Sequence, residues 1–306
     1  RDLHTAYRRQ RQIVYKRQQL HNLFKEYNFL PHFQPINDSV EKLHQVEGII
    51  IGSDNFTKEM FHNAKKLRAI IKYGVGTDNI NKEAAEKFNV KILNLPSINS
   101  DAVAEMALGL MLSVARKITE SDRLLRKGTW SRPLGCKVQG KALGIIGTGA
   151  IGLCLARMVE GLNMKLLGFD IKKDQSFIKH NGKYVPLEEL LNRSDFISIH
   201  VPLNENTYHL IGEKQLSIMK PTAILINTSR GGAVDERALF KALHNHTIAG
   251  AGVDVFETQP AVQNPLLGLE NTVCTSHIAA YDSETLRKMD AECLEKLHQA
   301  LETTDN

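Results

Sequence analysis

The sequence predicts an α/β protein built from two doubly wound parallel-sheet domains. Three observations predict it. Short β-branched runs alternate with helical patterns from Glu47 onward, a long apolar helix separates a first such series from a second, and one strand runs directly into G-x-G-x-x-G at residues 147–152. The 306 residues suffice for two domains of ordinary size. A 42% hydrophobic content and mean hydropathy of −0.26 exclude wholesale disorder. The longest apolar stretch, Ala102 to Ala115, carries Glu105 and falls short of the roughly 20 residues a bilayer span needs. No membrane partner is expected.

Residues 1–26 hold seven basic side chains (Arg1, Arg8, Arg9, Arg11, Lys16, Arg17, Lys25) against Asp2 and Glu26, which accounts for the whole formal charge of +5. The remainder is balanced, so no general polyanion-binding surface and no nucleic-acid partner is expected. Ile13, Leu20, Leu23 and Phe24 fall near helical spacing, which fits an amphipathic helix packed on a sheet better than one lying on nucleic acid or membrane. Gly48 to Gly52 and Ala69 to Tyr73 read as two buried strands, each followed by a polar turn and a helical segment. These elements make a first domain over 1–98.

Asn99-Ser100-Asp101 offers capping side chains for a long helix running towards Lys127. Six candidate strands follow, at 142–147, 164–169, 196–200, 223–227, 249–255 and 272–275, enough for a complete dinucleotide-binding sheet over 99–280. A last helix, near Asp282 to Leu301, lies in a segment (281–306) that returns to complete the first domain. Cys136, Cys154, Cys274 and Cys293 show no paired spacing, which points to unbridged thiols in a reducing, cytoplasmic compartment.

The run Ala142 to Gly152 carries the sharpest chemical signal. Gly147 permits a tight turn, Gly149 lets backbone approach a pyrophosphate, and Gly152 lets the following helix pack closely on its strand. Asp170 ends the next strand, 18 residues beyond Gly152, where a ribose-reading carboxylate belongs. A carboxylate accepts from ribose hydroxyls and repels a 2′-phosphate, so NAD is expected over NADP, a preference tempered by Lys172 and Lys173. Arg230 follows the buried run 224–227 on the edge where open α/β sheets bind ligands, and its planar fork suits a carboxylate. Segments 253–260 and 274–280 put further polar groups beyond strand ends, among them His277, whose side chain exchanges protons near neutral pH. The histidines lack metal-ligand spacing, and no metal is expected.

Taken together, Lys72 to Asn79, Val103-Ala104-Glu105, Gly147 to Gly152, Thr228 to Gly232 and Asp254-Val255-Phe256 resemble the D-isomer-specific 2-hydroxyacid dehydrogenase family, and within it the D-3-phosphoglycerate dehydrogenases. The likeness runs from about Glu47 to Leu297. It implies a Rossmann NAD domain inserted in a flavodoxin-like substrate domain, a catalytic cleft at the hinge, and a homodimer formed around the linking helix. It further implies that Ala150 and Ile151 meet the pyrophosphate, that Val201 and Pro202 border the adenine, and that Thr228, Ser229, Asp254 and Ala280 complete the cofactor site. Tyr73 and backbone amides around Gly74, Val75 and Gly76, with Asn99 and Arg230, would take the substrate; His277 would exchange the hydroxyl proton.

One departure touches mechanism. The family usually places a glutamate before the proline that follows Asp-Val-Phe, and this chain has Gln259 before Pro260. A neutral amide orients an imidazole without stabilising its protonated form, so a proton donor near the free imidazole value is expected unless Glu257 turns inward and compensates. Ala279 also stands where the family often has glycine, and a first strand before the basic helix is not evident, which suggests truncation. No extension resembling the family's regulatory domains is seen, so serine feedback is not expected. The expected reaction is hydride transfer between NAD and a D-2-hydroxyacid or its 2-oxoacid. Lys72 and Arg132 are candidate phosphate partners that make 3-phosphoglycerate the first choice. Glyoxylate, hydroxypyruvate or another 2-oxoacid is the alternative, as is an NAD-sensing corepressor that binds without turnover.

Overall fold

The computed structural model describes residues 43–52 and 54–302. The basic helix expected over 1–26 and the question of a strand before it lie outside the described residues. The described residues divide into two compact units, one from the segments 43–98 and 283–302 and one from residues 99–282.

In the first unit, β1 (Gly48–Ile51), β2 (Ala69–Lys72) and β3 (Lys91–Leu93) form a parallel sheet in that order. β2 is buried along its whole length, as expected of a central strand covered on both faces. One face packs against Phe56, Met60, Phe61, Ala84 and Ala85. The other meets the helix Ser283–Glu302 through Met289, Cys293, Leu297 and Ala300. At Gly48 the helix packs closely: a Cβ would lie 2.5 Å from the Leu297 side chain, which would have to shift. Asp290 of that helix accepts a hydrogen bond from the Tyr73 hydroxyl at 2.6 Å.

The second unit holds a seven-stranded parallel sheet: β4 (Ala142–Ile146), β5 (Lys165–Phe169), β6 (Lys183–Tyr184), β7 (Phe196–Ile199), β8 (Ile224–Asn227), β9 (Gly250–Val253) and β10 (Thr272–Cys274). Their spatial order is β10-β9-β8-β7-β4-β5-β6, so the sheet grows in opposite directions from β4 and leaves a switch point between β4 and β7. The six expected strands are present. The seventh, β6, has only two residues and leaves no periodicity to read. It pairs at the edge with Leu167 and Gly168.

The long helix expected from Asn99 to Lys127 is two helices, Ser100–Ala115 and Ile118–Arg126. Lys117 breaks it, adopting a left-handed φ of 55°. The first helix is apolar on its inner stripe and packs with Leu110, Met111 and Val114 against the sheet. The second buries no side chain. Asn99 stands at the N-cap but makes no side-chain cap, contrary to expectation.

The fully buried Phe177 fills the gap between β5 and the β6 turn, where Gly168 and Gly182 both make room for it: a Cβ on either would lie 2.4 and 2.3 Å from its ring. Its loss would leave a cavity, so Phe177→Ala is expected to destabilise the protein by about 3–5 kcal/mol, read as a fall in the urea midpoint at unchanged slope.

Candidate functional site

The carboxyl edge of the seven-stranded sheet collects the candidate residues because every strand is parallel and each enters its loop on the same side. At the switch point, Gly147 takes a φ of +91°, and a Cβ there would lie 2.6 Å from the carbonyl oxygen of His200 at the end of β7. Val201 and Pro202 follow directly, with the Pro202 carbonyl accepting from the Thr207 hydroxyl at 2.6 Å. Gly152 admits the Gly147 carbonyl, 2.3 Å from where its own Cβ would be. Gly149 differs, since a Cβ there would meet nothing within 4 Å. No protein atom explains a glycine at that point. It caps the helix Ala150–Met158, whose first amides, including those of Ala150 and Ile151, have no acceptor within the helix, as a helix N-terminus that binds an anion requires.

Asp170, at the end of β5, is held in one orientation. Its Oδ2 accepts from the Thr148 amide at 2.7 Å and the Thr148 hydroxyl at 3.3 Å, and its Oδ1 accepts from the Lys172 amide at 2.9 Å. Two buried polar atoms beside this edge lack a hydrogen-bond partner, Thr228 Oγ1 after β8 and His200 Nδ1 after β7. Burial pushes the His200 imidazole down to about 3, so it is neutral at physiological pH, with Nε2 2.9 Å from the Ser198 hydroxyl. An unpaired buried hydroxyl costs about 1–3 kcal/mol, which a ligand hydrogen bond would relieve. Open helix amides, an oriented carboxylate and orphaned polar atoms on one edge fit a dinucleotide.

Three neighbouring loops then carry the reactive side chains. Asn227 closes β8: its Oδ1 accepts from the Ser229 amide at 3.1 Å and hydroxyl at 2.9 Å, while its Nδ2 donates to the Arg230 carbonyl at 3.0 Å. Arg230 Nη1 donates to the Ser229 carbonyl at 2.8 Å. Gly231 passes so close to the next loop that a Cβ would fall 2.0 Å from the Phe256 carbonyl carbon. Asp254, ending β9, is 0% exposed. Its Oδ1 accepts from the Thr275 hydroxyl at 2.6 Å and the Ile278 amide at 2.9 Å, and its Oδ2 from the Ala279 amide at 2.9 Å. The Asp254 carbonyl accepts from the His277 amide at 2.8 Å. His277, at a left-handed φ of 56°, is thereby held by the carboxylate and backbone of one residue. Its Nδ1 lies 2.9 Å from Gln259 Oε1, and Gln259 Nε2 donates to the Phe256 carbonyl at 3.4 Å. Ala280 follows in the same loop.

Glu257 does not stand in for the missing glutamate. Its carboxylate meets His209 Nε2 at 2.9 Å and the Glu236 amide at 3.2 Å, away from His277. The Lys72 ammonium donates to the Gly52 carbonyl and, at 2.9 Å, to Asn79 Oδ1. The Tyr73 hydroxyl goes to Asp290. Of the amides around Gly74, Val75 and Gly76, that of Gly74 is committed to the Lys72 carbonyl at 2.9 Å. Asn99 Oδ1 is buried without a hydrogen-bond partner. Arg132 lies in a cavity of about 280 Å³ lined also by Arg116, Ser121, Leu125 and Trp130, apart from the strand loops. Sequence reasoning missed Asn227, Thr148 and Thr275. All three sit inside the quoted segments 142–152, 224–227 and 274–280, where a polar residue at a strand end was the available signal.

Fold and edge together define an α/β protein with a dinucleotide-binding sheet. Residues 108–279 match the family model for the D-isomer specific 2-hydroxyacid dehydrogenase NAD binding domain. A glyoxylate reductase of Korarchaeum cryptofilum is 43% identical over 267 residues, 84% of this chain and 80% of the relative. A D-3-phosphoglycerate dehydrogenase of Methanocaldococcus jannaschii is 36% identical over 86% of this chain but only 51% of its own length. Among solved structures, D-lactate dehydrogenase from Aquifex aeolicus complexed with NAD and lactic acid has a TM-score of 0.81 at 29% identity, covering 87% of this chain and 86% of that one. The chain belongs to the D-isomer-specific 2-hydroxyacid dehydrogenase family. It is an enzyme of that family, and its cofactor is NAD.

The Asp254 carboxylate receives three donors and offers none, so Asp254→Asn must set an amide N–H₂ against at least one of them. The variant is expected to lose about 1–3 kcal/mol of stability, seen as a lowered denaturation midpoint, and to lose turnover disproportionately as the His277 loop is released.

Proposed function

We propose that this enzyme reduces a small 2-oxoacid of the glyoxylate class to the corresponding 2-hydroxyacid, with His277 as proton donor and Arg230 as carboxylate anchor. The observation that carries the reading is the His277–Gln259 hydrogen bond on the same sheet edge as the glycine turn. The Phe256 carbonyl can only accept, so it takes the Gln259 N–H₂ and turns the amide oxygen to His277. Nδ1 must then carry a proton, and Nε2 is the nitrogen that exchanges one with substrate. Bound NADH supplies the hydride. His277 protonated at Nε2 gives its proton to the carbonyl oxygen, and the neutral ring takes it back from the hydroxyl in the reverse direction. Arg230 holds the carboxylate through paired N–H donors and thereby fixes the carbonyl carbon. In the cofactor site, Ala150 and Ile151 amides take the pyrophosphate, Asp170 the adenosine ribose, and Thr228 the nicotinamide end.

Two observations favour glyoxylate over 3-phosphoglycerate. The relative matched over most of both chains is named a glyoxylate reductase, and Lys72, one of the two cations expected to meet a phosphate, gives its ammonium to Gly52 and Asn79. We also infer a homodimer through the helix Ile118–Arg126 and the loop after it, where Leu125, Trp130 and Leu134 are exposed. The four cysteines are free thiols, in keeping with a cytoplasmic setting. No helix among the described residues is long and apolar enough to cross a membrane.

Initial rates with NADH and glyoxylate, hydroxypyruvate or 3-phosphohydroxypyruvate test the assignment. Glyoxylate is expected to have the highest kcat/KM; a preference for the phosphorylated acid would reverse the substrate reading, and no turnover of any 2-oxoacid would point to the corepressor class. In the same assay His277→Ala should lower kcat by roughly 10²- to 10⁴-fold. Gln259→Glu places a negative charge on the imidazole and favours its protonated form, so the pH at which reduction falls off should move upward relative to the parent enzyme. An unmoved alkaline limb in full pH–rate profiles would remove Gln259 from the proton-donor unit.

A further inference from the structure

Beyond Asp170 itself, a second tier of residues converges on the cofactor end of the site. Tyr184, from the two-residue edge strand β6, places its hydroxyl 2.7 Å from Thr148 Oγ1. The same phenol oxygen accepts from the Asp174 amide at 2.9 Å. Thr148 is 1% exposed, and its hydroxyl reaches Asp170 Oδ2 at 3.3 Å.

The direction of this chain follows from what each atom can do. A carboxylate oxygen only accepts, so the hydrogen between Thr148 and Asp170 belongs to Thr148. Having spent its hydrogen there, the Thr148 hydroxyl must accept from Tyr184. The phenol is free to donate in that direction because the Asp174 amide already occupies it as an acceptor. Its other possible acceptor, the Asp174 carbonyl, is farther away at 3.4 Å. The hydrogens therefore run one way, from the Asp174 amide through Tyr184 and Thr148 to Asp170. The Thr148 and Lys172 amides reinforce the same carboxylate from its two oxygens.

We propose that Tyr184 and Thr148 are positioning residues that set the preference for NAD over NADP by locking the Asp170 carboxylate in the orientation that receives a ribose diol. The inference rests on the reading of Asp170 as the ribose partner. An oriented carboxylate offers two acceptors to two vicinal hydroxyls and a fixed negative charge to a 2′-phosphate. A carboxylate able to swing away does neither well. The lock matters here because Lys172 and Lys173, both exposed, follow Asp170 directly and offer charge that a 2′-phosphate would seek. The phenol is itself braced from behind: its ring meets that of Phe177 at a centroid distance of 5.1 Å.

The test measures binding without turnover, by calorimetric titration of the full-length protein with ADP-ribose and with 2′-phospho-ADP-ribose. The parent protein is expected to bind ADP-ribose more tightly. Tyr184→Phe keeps the ring on Phe177 and removes only the hydroxyl, so its ligand-free melting temperature should stay near the parent's. Its ratio of the two affinities should fall by roughly 3- to 10-fold. Thr148→Val should lower the ratio at least as far, and Thr148→Ser, which restores the hydroxyl, should recover it. Ratios unchanged in both Tyr184→Phe and Thr148→Val would overturn the proposal while leaving Asp170 in place. A parent protein that binds the 2′-phosphorylated ligand more tightly would overturn the Asp170 reading, and this proposal with it.

Discussion

A carboxylate removed wholly from solvent must be met by donors, and Asp254 meets its own by reaching across to the neighbouring loop. It ends β9 in the middle of three parallel strands, with β8 on one side and β10 on the other. Burying an unpaired carboxylate would cost several kcal/mol, so the loop after β10 is compelled to bring Thr275, Ile278 and Ala279 to it. His277 lies inside that bracket. Its left-handed backbone is a conformation an L residue adopts only when its surroundings impose it, and the carboxylate and carbonyl of Asp254 impose it here.

The same edge is tied laterally by close backbone approach. Gly231 lets the Arg230 loop pass against the Phe256–Glu257 backbone at a spacing no side chain would permit. Phe256 in turn supplies the carbonyl that orients Gln259. The Arg230 loop and the orienting partner of the imidazole thus belong to one packed assembly. Outside it, Glu257 closes the loop by pairing with His209 and exchanging hydrogen bonds with Glu236. The charge that sequence reasoning considered moving inward is instead spent holding the loop from outside.

The sheet was legible because its strands are short, largely apolar runs bounded by polar turns, and so was the glycine turn, where Gly147 and Gly152 are set by close backbone contacts. Elements without a period to read were not. β6 is two residues long and exists because Gly168 and Gly182 make room for Phe177 between them, a fact of packing rather than pattern. The break at Lys117 interrupts a segment whose composition favours helix on both sides, and no glycine or proline announces it. At the site, residue types and their strand ends could be read, but partners could not. Lys72 is a phosphate candidate in the sequence because its segment borders the substrate pocket that the family resemblance implies. Only the fold shows the Gly52 carbonyl and Asn79 beside its ammonium.

Replacing a carboxylate by an amide next to the imidazole changes where the charge balance of the reaction must be struck. With a glutamate partner, the protein itself would neutralise the imidazolium needed for reduction. Gln259 aligns the ring but contributes no net charge, so on the proposed reading the compensation comes from other charges, Arg230 and the acid it would hold among them. Arg230 and His277 lie in the loops after β8 and β10, strands separated only by β9. A guanidinium close to the imidazole disfavours a second positive charge there. A 2-oxoacid bound to Arg230 brings a carboxylate that cancels this repulsion. On the proposed reading, therefore, anion and proton arrive as a coupled pair: the acid-base group becomes easy to protonate when the molecule that needs the proton is in place. A neutral partner makes that coupling stronger than a built-in carboxylate would, because none of the compensation has been supplied in advance.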